Sequence, residues 1–328
     1  MRELIIADRR IADETPAFVI AEVGHNHGGS VETCKDICKA AADAGADAVK
    51  LQKRDNRTLF TKEMYDSPYN SEHAFGPTYG AHREALEFNW EQYTELKAYA
   101  ETLGLIFIVT AFDVPSADFL AALDCPVFKI ASGCLTDLPL IRHVAAFGKP
   151  MIISTGGGTL EDVERISDQL FLDYFAEQSP RSSIAFLQCT ATYPPPPEEM
   201  NLRVIETYRA HFPNTVIGLS DHYDGISEGI PAFMLGARIF ENHFTLSRSW
   251  KGSDHAFSLE PEGLRRFIRD LRIFPAMLGD GEKRPYESEA AGMRKMGKSL
   301  VASCDLAEGT LLTVNEIAIK SPLGGLLP

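Results

Sequence analysis

Three things are scarce in this chain of 328 residues: basic charge, paired cysteines and long apolar runs. Lysine and arginine number 32 against 46 aspartates and glutamates, a formal charge of −14. Non-specific nucleic-acid binding and adsorption to anionic membranes both need a basic surface, so this balance argues against either. An anionic small molecule is compatible with it, provided a few local cations collect it. No apolar run approaches the roughly 18 residues of a membrane helix, and the opening MRELIIADRRIADETP lacks the apolar core of a signal peptide. The six cysteines (Cys34, Cys38, Cys125, Cys134, Cys189 and Cys304) include no CxxC pair. Cys34 and Cys38 stand one helical turn apart, which small buried helix residues explain better than a metal site does. Free thiols in a reducing cytoplasm are the expectation.

What is present is a repeat of strand and helix. From residue 17 to about residue 280, short apolar runs alternate with longer amphipathic ones. The strand candidates are AFVIAEVG, ADAVKLQ, LIFIVTAF, VFKIAS, PMIISTG, IAFLQCT, TVIGLSDH and ARIFENHF. Helix-like segments such as VETCKDICKAAADAG, EQYTELKAYAETLG and LEDVERISDQLF separate most of them. Eight β-then-α units of this total length predict an α/β protein with a (β/α)8 TIM barrel over residues 1–280. A doubly wound open sheet would want a glycine-rich phosphate turn after the first strand, and AEVGHNHGGS fits that fingerprint poorly. GEKRPYE and its neighbours, residues 281–296, read as a linker. Residues 297–328 read as short strands around a turn at AEGT, too little chain for an independent core.

The strands are apolar at their starts and chemical at their C-terminal ends. These ends carry Glu22, then Lys50 and Gln52, Thr110 and Phe112, Lys129 and Ser132, and Ser154. Thr190 and Tyr193 follow the sixth strand, Ser220 and His222 end the seventh, and Glu241 and His243 end the eighth. In a closed barrel these ends converge on one mouth, where barrel enzymes keep their active sites. Residues 54–89, rich in Tyr, His, Arg and Pro, are too long for an ordinary connection and predict a substrate-covering loop.

His222 and His243 end adjacent strands, within reach of one Mn²⁺, Mg²⁺ or Zn²⁺ completed by water or substrate. Asp221 and Glu241 beside them could orient the imidazoles. Lys50 and Lys129, with Ser132, Ser154 and Ser220, make a cationic, hydroxyl-rich patch suited to phosphate and carboxylate oxygens. A Schiff-base lysine is the competing role for either. Glu22 is a natural general acid or base. GGGT at 156–159 could bind phosphate through backbone N–H groups or be a plain turn. In KIASGC, Cys134 is either a nucleophile or filler.

Taken in order, AEVGHNHGGS, KLQK, KIASG, STGG, LQCTATYP, GLSDH, ENHFT, WKGSDHAFSLEP and the tail GKSLVAS…AEGTLLT resemble the sialic acid synthase family, phosphoenolpyruvate-dependent enzymes that make nonulosonic acids. SPYNSEHAFGPTYGAHREALEF and WKGSDH resemble the animal-type members, some of which use the 6-phosphate of N-acetylmannosamine. The resemblance implies a cytoplasmic homodimer in which a small antifreeze-like (SAF) domain follows the barrel and swaps over the partner's site. Residues 297–328 would supply a part of that domain. It implies that Lys50, Thr110, Lys129, Ser132, Ser154 and Ser220 hold phosphoenolpyruvate, and that His222 and His243 hold Mn²⁺ or Mg²⁺. Glu22, Gln52, Tyr193 and Asp254 would position the amino sugar, with Phe112 against its apolar face and Glu22 moving a proton. It also disfavours the Schiff base, since phosphoenolpyruvate is already an enol ester. Three positions depart from the family pattern. Cys134 stands at a catalytic position that is ordinarily acidic, Asn242 replaces an arginine, and Ser321 stands where bacterial relatives often carry an arginine. Relatives making legionaminic or pseudaminic acid offer a different acceptor, and a non-catalytic sugar-phosphate-binding barrel is the reading from another class.

Overall fold

A computed structural model of the chain describes residues 2–171 and 183–328. The chain opens with an antiparallel hairpin, β1 (Glu3–Ile6) and β2 (Arg9–Ala12). Eight parallel strands follow: β3 (Phe18–Gly24), β4 (Ala48–Lys53), β5 (Ile106–Ala111), β6 (Phe128–Ile130), β7 (Met151–Ser154), β8 (Ile184–Cys189), β9 (Val216–Asp221) and β10 (Ile239–His243). They close on themselves when β10 pairs with β3, which sets Ile239 opposite Phe18 and His243 opposite Glu22. The expected eight-stranded barrel is therefore the observed fold, with helices outside it.

The period of two along each strand explains the lumen. Inward positions near the strand starts are apolar, and Phe18, Ile20, Ala48, Ile108, Val127, Ile152, Ala185, Val216 and Ile239 form one buried cluster. Leu4, Ile6 and Ile11 of the N-terminal hairpin complete that cluster and plug the bottom of the barrel. The hairpin escapes sequence reading because its strands are four residues each and interrupted by charge at Glu3, Arg9 and Arg10. Two residues further along each strand the same inward rows become polar, at Glu22, Lys50, Thr110, Lys129, Ser154, Ser220 and Glu241, all of them buried. Outward positions such as Val19, Val49, Phe107, Phe128, Ile153 and Phe240 pack under the helices.

The helices start where side-chain caps allow. Ser30 accepts the Thr33 N–H to begin Val31–Ala44, and Gly45, at φ +93°, ends it in the left-handed conformation that glycine adopts without strain. Residues 54–89 are a chain of short helices, Asn56–Leu59, Lys62–Asp66 and Tyr79–Glu84, each begun by a side-chain cap from Asp55, Thr61 or Thr78. The expected loop thus carries ordered structure of its own.

Two compact units divide after Pro275, inside the helix Pro261–Leu278. The second unit holds a helix, Ala290–Met296, within the stretch read as a linker. It also holds an antiparallel pair, β11 (Ser299–Ala302) and β12 (Ile317–Lys320). Among the described residues no helix is long and apolar enough to cross a membrane.

Gly218 marks where the lumen has no room. A Cβ there would sit 2.3 Å from the Ile239 carbonyl oxygen and 2.5 Å from a Leu187 methyl. Backbone and a buried side chain cannot both retreat, so Gly218→Ala should cost about 1–3 kcal/mol. The denaturant midpoint should fall with the slope unchanged.

Candidate active site

A cavity of about 400 Å³ opens at the C-terminal ends of the barrel strands. The structure brings thirteen of the expected residues to its wall: Glu22, Lys50, Gln52, Thr110, Phe112, Lys129, Ser132, Ser154, Tyr193, Ser220, His222, His243 and Asp254. Twelve come from the strands or the first residues after them, and Asp254 from the loop that follows β10.

Deep in the cavity lies a network of buried charges. Lys50 Nζ stands 2.7 Å from Glu22 Oε2 and 3.6 Å from Glu241 Oε1, and it donates to Thr110 Oγ1 at 2.9 Å. Lys129 donates to Ser154 Oγ at 2.6 Å and to the Ile130 carbonyl at 3.0 Å, with Glu241 3.7 Å away. Burial works against the Lys50 ammonium, but Glu22 and Glu241 outweigh it and raise its pKa above the ordinary lysine value. For Lys129 burial wins. Glu241 offsets part of it, the like charge of Lys50 adds to it, and the pKa is lowered. Burial likewise opposes ionisation of Glu241, yet Lys129 and Lys50 hold its carboxyl below the ordinary range. Gln52 donates to Glu22 Oε1 at 2.7 Å and so fixes that carboxylate from the other side.

The two imidazoles form the opposite wall, with ring centres 5.4 Å apart. Burial, with the like charge of His243, pushes the His222 pKa down to about 3, so the ring is neutral at physiological pH. His222 Nδ1 pairs with the Thr190 carbonyl at 2.9 Å, which makes Nδ1 the protonated nitrogen and leaves the Nε2 lone pair free. His243 Nδ1 is buried without a hydrogen-bond partner, 3.9 Å from Asp254 Oδ2. A free lone pair and an orphaned ring nitrogen fit a divalent cation. Among the described residues no group of three His, Cys, Asp or Glu side chains is placed to enclose one. A cation here would rest on two imidazoles and draw its other ligands from water or substrate. The expected orienting role of Asp221 and Glu241 is not what the structure shows. Asp221 points outward to the Tyr223 N–H and Asn242, and Glu241 turns to the lysines and Ser220.

The family model described as the NeuB family matches residues 37–283. The human N-acetylneuraminate-9-phosphate synthase is 38% identical over 312 residues, 95% of this chain and 85% of that protein. The chain belongs to the NeuB family. It is an enzyme of the sialic acid synthase type. The N,N'-diacetyllegionaminic acid synthase of Campylobacter jejuni is 33% identical over 310 residues, 94% of this chain and 91% of that one. Among solved structures, the N-acetylneuraminic acid synthetase of Leptospira borgpetersenii, in complex with citrate, superposes with a TM-score of 0.72 at 29% identity. That match covers 89% of this chain and 95% of that one.

Within this NeuB barrel Cys134, like Asp221, is an expected site residue that does not line the cavity. Its thiol lies behind the wall, 3.9 Å from the Phe112 carbonyl, and burial raises its pKa to about 11. A protonated thiol without access to the cavity is no nucleophile, so the catalytic role expected for it is corrected to packing. The residues that sequence reading missed are His25, Arg54, Arg83 and Ser253, which also line the cavity. The HNH of AEVGHNHGGS contains the first, but nothing in its spacing says that it faces the mouth.

Two predictions follow from these environments. Five cysteines are buried and Cys304 is exposed. Native protein should therefore react rapidly with a thiol reagent at one site per chain, at all six in denaturant, and at none of them rapidly after Cys304→Ser. His27, buried against Phe88, has its pKa lowered to about 3 by burial, whereas the unfolded chain titrates near 6.5. Between those values the unfolded state binds the extra proton. Stability should then fall as pH drops below 6.5, by up to about 1.4 kcal/mol per pH unit for this group. His27→Gln should flatten the melting-temperature profile between pH 6.5 and 4.

Proposed function

We propose that this NeuB-family enzyme condenses phosphoenolpyruvate with N-acetylmannosamine, or its 6-phosphate. The products are N-acetylneuraminic acid, or its 9-phosphate, and inorganic phosphate. The observation that carries the reading is the pairing, in one cavity, of two buried lysines on β4 and β6 with two imidazoles, one just after β9 and one at the end of β10. One side suits an anionic donor and the other an electrophile.

C3 of the enol ester bonds to the aldehyde carbon of the open-chain sugar, whose oxygen takes a proton. Water adds at C2 and loses a proton, the C2–O bond to phosphate breaks as the C2 hydroxyl gives its proton to the departing phosphate, and a 3-deoxy-2-keto acid remains. Lys50 and Lys129, with the hydroxyls of Thr110, Ser132, Ser154 and Ser220, hold the carboxylate and phosphate of the donor. Because Glu22 and Glu241 neutralise these lysines in the free protein, the donor binds by displacing a carboxylate from an ammonium rather than by entering a bare positive pocket. Lys129 is the readier of the two, its carboxylate partner being farther away. Glu22, a carboxylate gripped by Lys50 and Gln52, is placed to take the proton that the attacking water loses and relay it to the new sugar hydroxyl. Gln52, Tyr193 and Asp254 position sugar hydroxyls, and Phe112 covers an apolar face. Mn²⁺ or Mg²⁺ on His222 and His243 would polarise the aldehyde oxygen. The same reading makes the enzyme a cytoplasmic homodimer, which sedimentation would check.

Incubation with phosphoenolpyruvate, Mn²⁺ or Mg²⁺ and a panel of acceptors tests the reaction. Phosphate and a keto acid should appear with the N-acetylmannosamine series, and His222→Ala should lower the rate by 100-fold or more, on the order of a lost electrostatic contact to the transition state. Turnover of diacetamido sugars alone would move the acceptor to the legionaminic type. Silence with every acceptor would sink the reading.

A further inference from the structure

The charge of the cavity is balanced at its floor and unbalanced at its rim. Arg54 follows β4, and Arg83 comes from the helix Tyr79–Glu84 of the inserted segment; both line the cavity. Among the described residues neither guanidinium is ion-paired with a carboxylate. The nearby acids make their direct contacts elsewhere, Glu87 with Lys53 at 2.9 Å and Asp254 with the Ser253 hydroxyl at 2.6 Å, and Asp254 reaches the two guanidiniums only through space. Arg54 instead donates to Gln52 Oε1 at 2.7 Å, and Arg83 donates twice to the Tyr79 hydroxyl, at 3.0 and 2.8 Å.

Between them stands His25. Its Nε2 is 3.0 Å from Arg54 Nη1 and its Nδ1 is 3.2 Å from Arg83 Nη1. Burial and the two guanidiniums push the His25 pKa well below its ordinary value, so the ring is neutral. A neutral imidazole has one acceptor nitrogen and a guanidinium has none. One of these two contacts therefore sets a donor against a donor. Arg54 is buried, and burial together with the charge of Arg83 lowers its pKa to about 10. Each guanidinium lies over a ring, Arg54 3.7 Å from the Phe112 centre and Arg83 5.0 Å from that of Tyr79. A guanidinium has five N–H donors, so the bonds from Arg54 to Gln52 and from Arg83 to the Tyr79 hydroxyl leave further N–H groups for an acceptor. Two adjacent cations with surplus donors, which Asp254 and Glu87 offset only through space and without a direct ion pair, make a site suited to a further anion.

We propose that Arg54 and Arg83 form a second anion subsite at the rim of this cavity, which takes the phosphate monoester of a phosphorylated acceptor sugar. The inference rests on the condensation reading above and decides within it for the phosphorylated acceptor. A phosphate supplies the several acceptor oxygens that His25 cannot, and its charge offsets the two guanidiniums. The lysines on the floor remain for the donor, so each anion has its own cationic pair.

The test separates binding from turnover. N-acetylmannosamine 6-phosphate and N-acetylmannosamine are titrated calorimetrically into the full chain, saturated with phosphoenolpyruvate and held with chelator so that no turnover occurs. The phosphorylated sugar should bind at least about ten-fold tighter, the scale of one or two charge-assisted hydrogen bonds. Arg83→Gln should remove most of that advantage, and Arg83→Lys should keep part of it. Arg54→Gln should act in the same direction. It disturbs a buried position, so the half-buried Arg83, checked for an unchanged melting curve, is the deciding variant. Equal affinity for the two sugars in the wild type, or an advantage that survives Arg83→Gln, overturns the proposal. A turnover assay run in parallel reports on condensation alone, so its silence counts against the reaction while the titration still decides the subsite.

Discussion

Four ionised side chains share the upper lumen of a closed barrel, and the site depends on their being paired. Lys50, Glu22, Glu241 and Lys129 are all nearly inaccessible to water. An isolated charge in that position would cost several kcal/mol, and removing one partner of a buried pair typically costs about 3–5 kcal/mol because the other is left uncompensated. The barrel makes the pairing possible by placing inward rows from β3, β4, β6 and β10 at one height. Lys50 sits opposite Glu22 in the strand register, and Glu241 opposite Ser220. The same closure that excludes water thereby supplies the counter-charges.

From that network the rest of the cavity is reached by a line of hydrogen bonds. Gln52 accepts from Arg54 through its amide oxygen and donates to Glu22 through its amide nitrogen. One side chain thus ties the balanced floor to the unbalanced rim, and both of its ends are satisfied in a single orientation. On the other wall the His222 imidazole stays neutral because burial opposes its charge, with the Thr190 carbonyl choosing its tautomer. Floor, wall and rim each offer a different chemistry: paired ammonium groups, imidazole lone pairs and surplus guanidinium donors.

Below the charges the lumen is dry and filled. The N-terminal hairpin inserts Leu4, Ile6 and Ile11 into the barrel bottom, beneath the polar layer that opens at the mouth. Its rigidity comes from packing that leaves no space for even one methyl group at Gly218. A floor of that kind holds lysines and carboxylates at fixed distances, as a site for small anions needs.

The amino-acid sequence by itself determined the barrel and most of its mouth, because a period of two along eight strands dictates which side chains face the lumen. Chemical residues at the strand ends, from Glu22 to His243, were legible for that reason. Tertiary structure alone decided four things. It turned the Cys134 thiol behind the wall, although KIASGC reads equally well with it in front. It faced Glu241 toward the lysines instead of the imidazoles, since strand register and not adjacency sets partners. It folded a short, partly charged hairpin into the barrel bottom. And it brought Arg83 from the inserted segment beside Arg54 and His25, residues separated by up to 58 positions along the chain. No local pattern records such a meeting. Alternation is a property of neighbouring residues, whereas the packing of a loop over a barrel mouth depends on everything the loop touches.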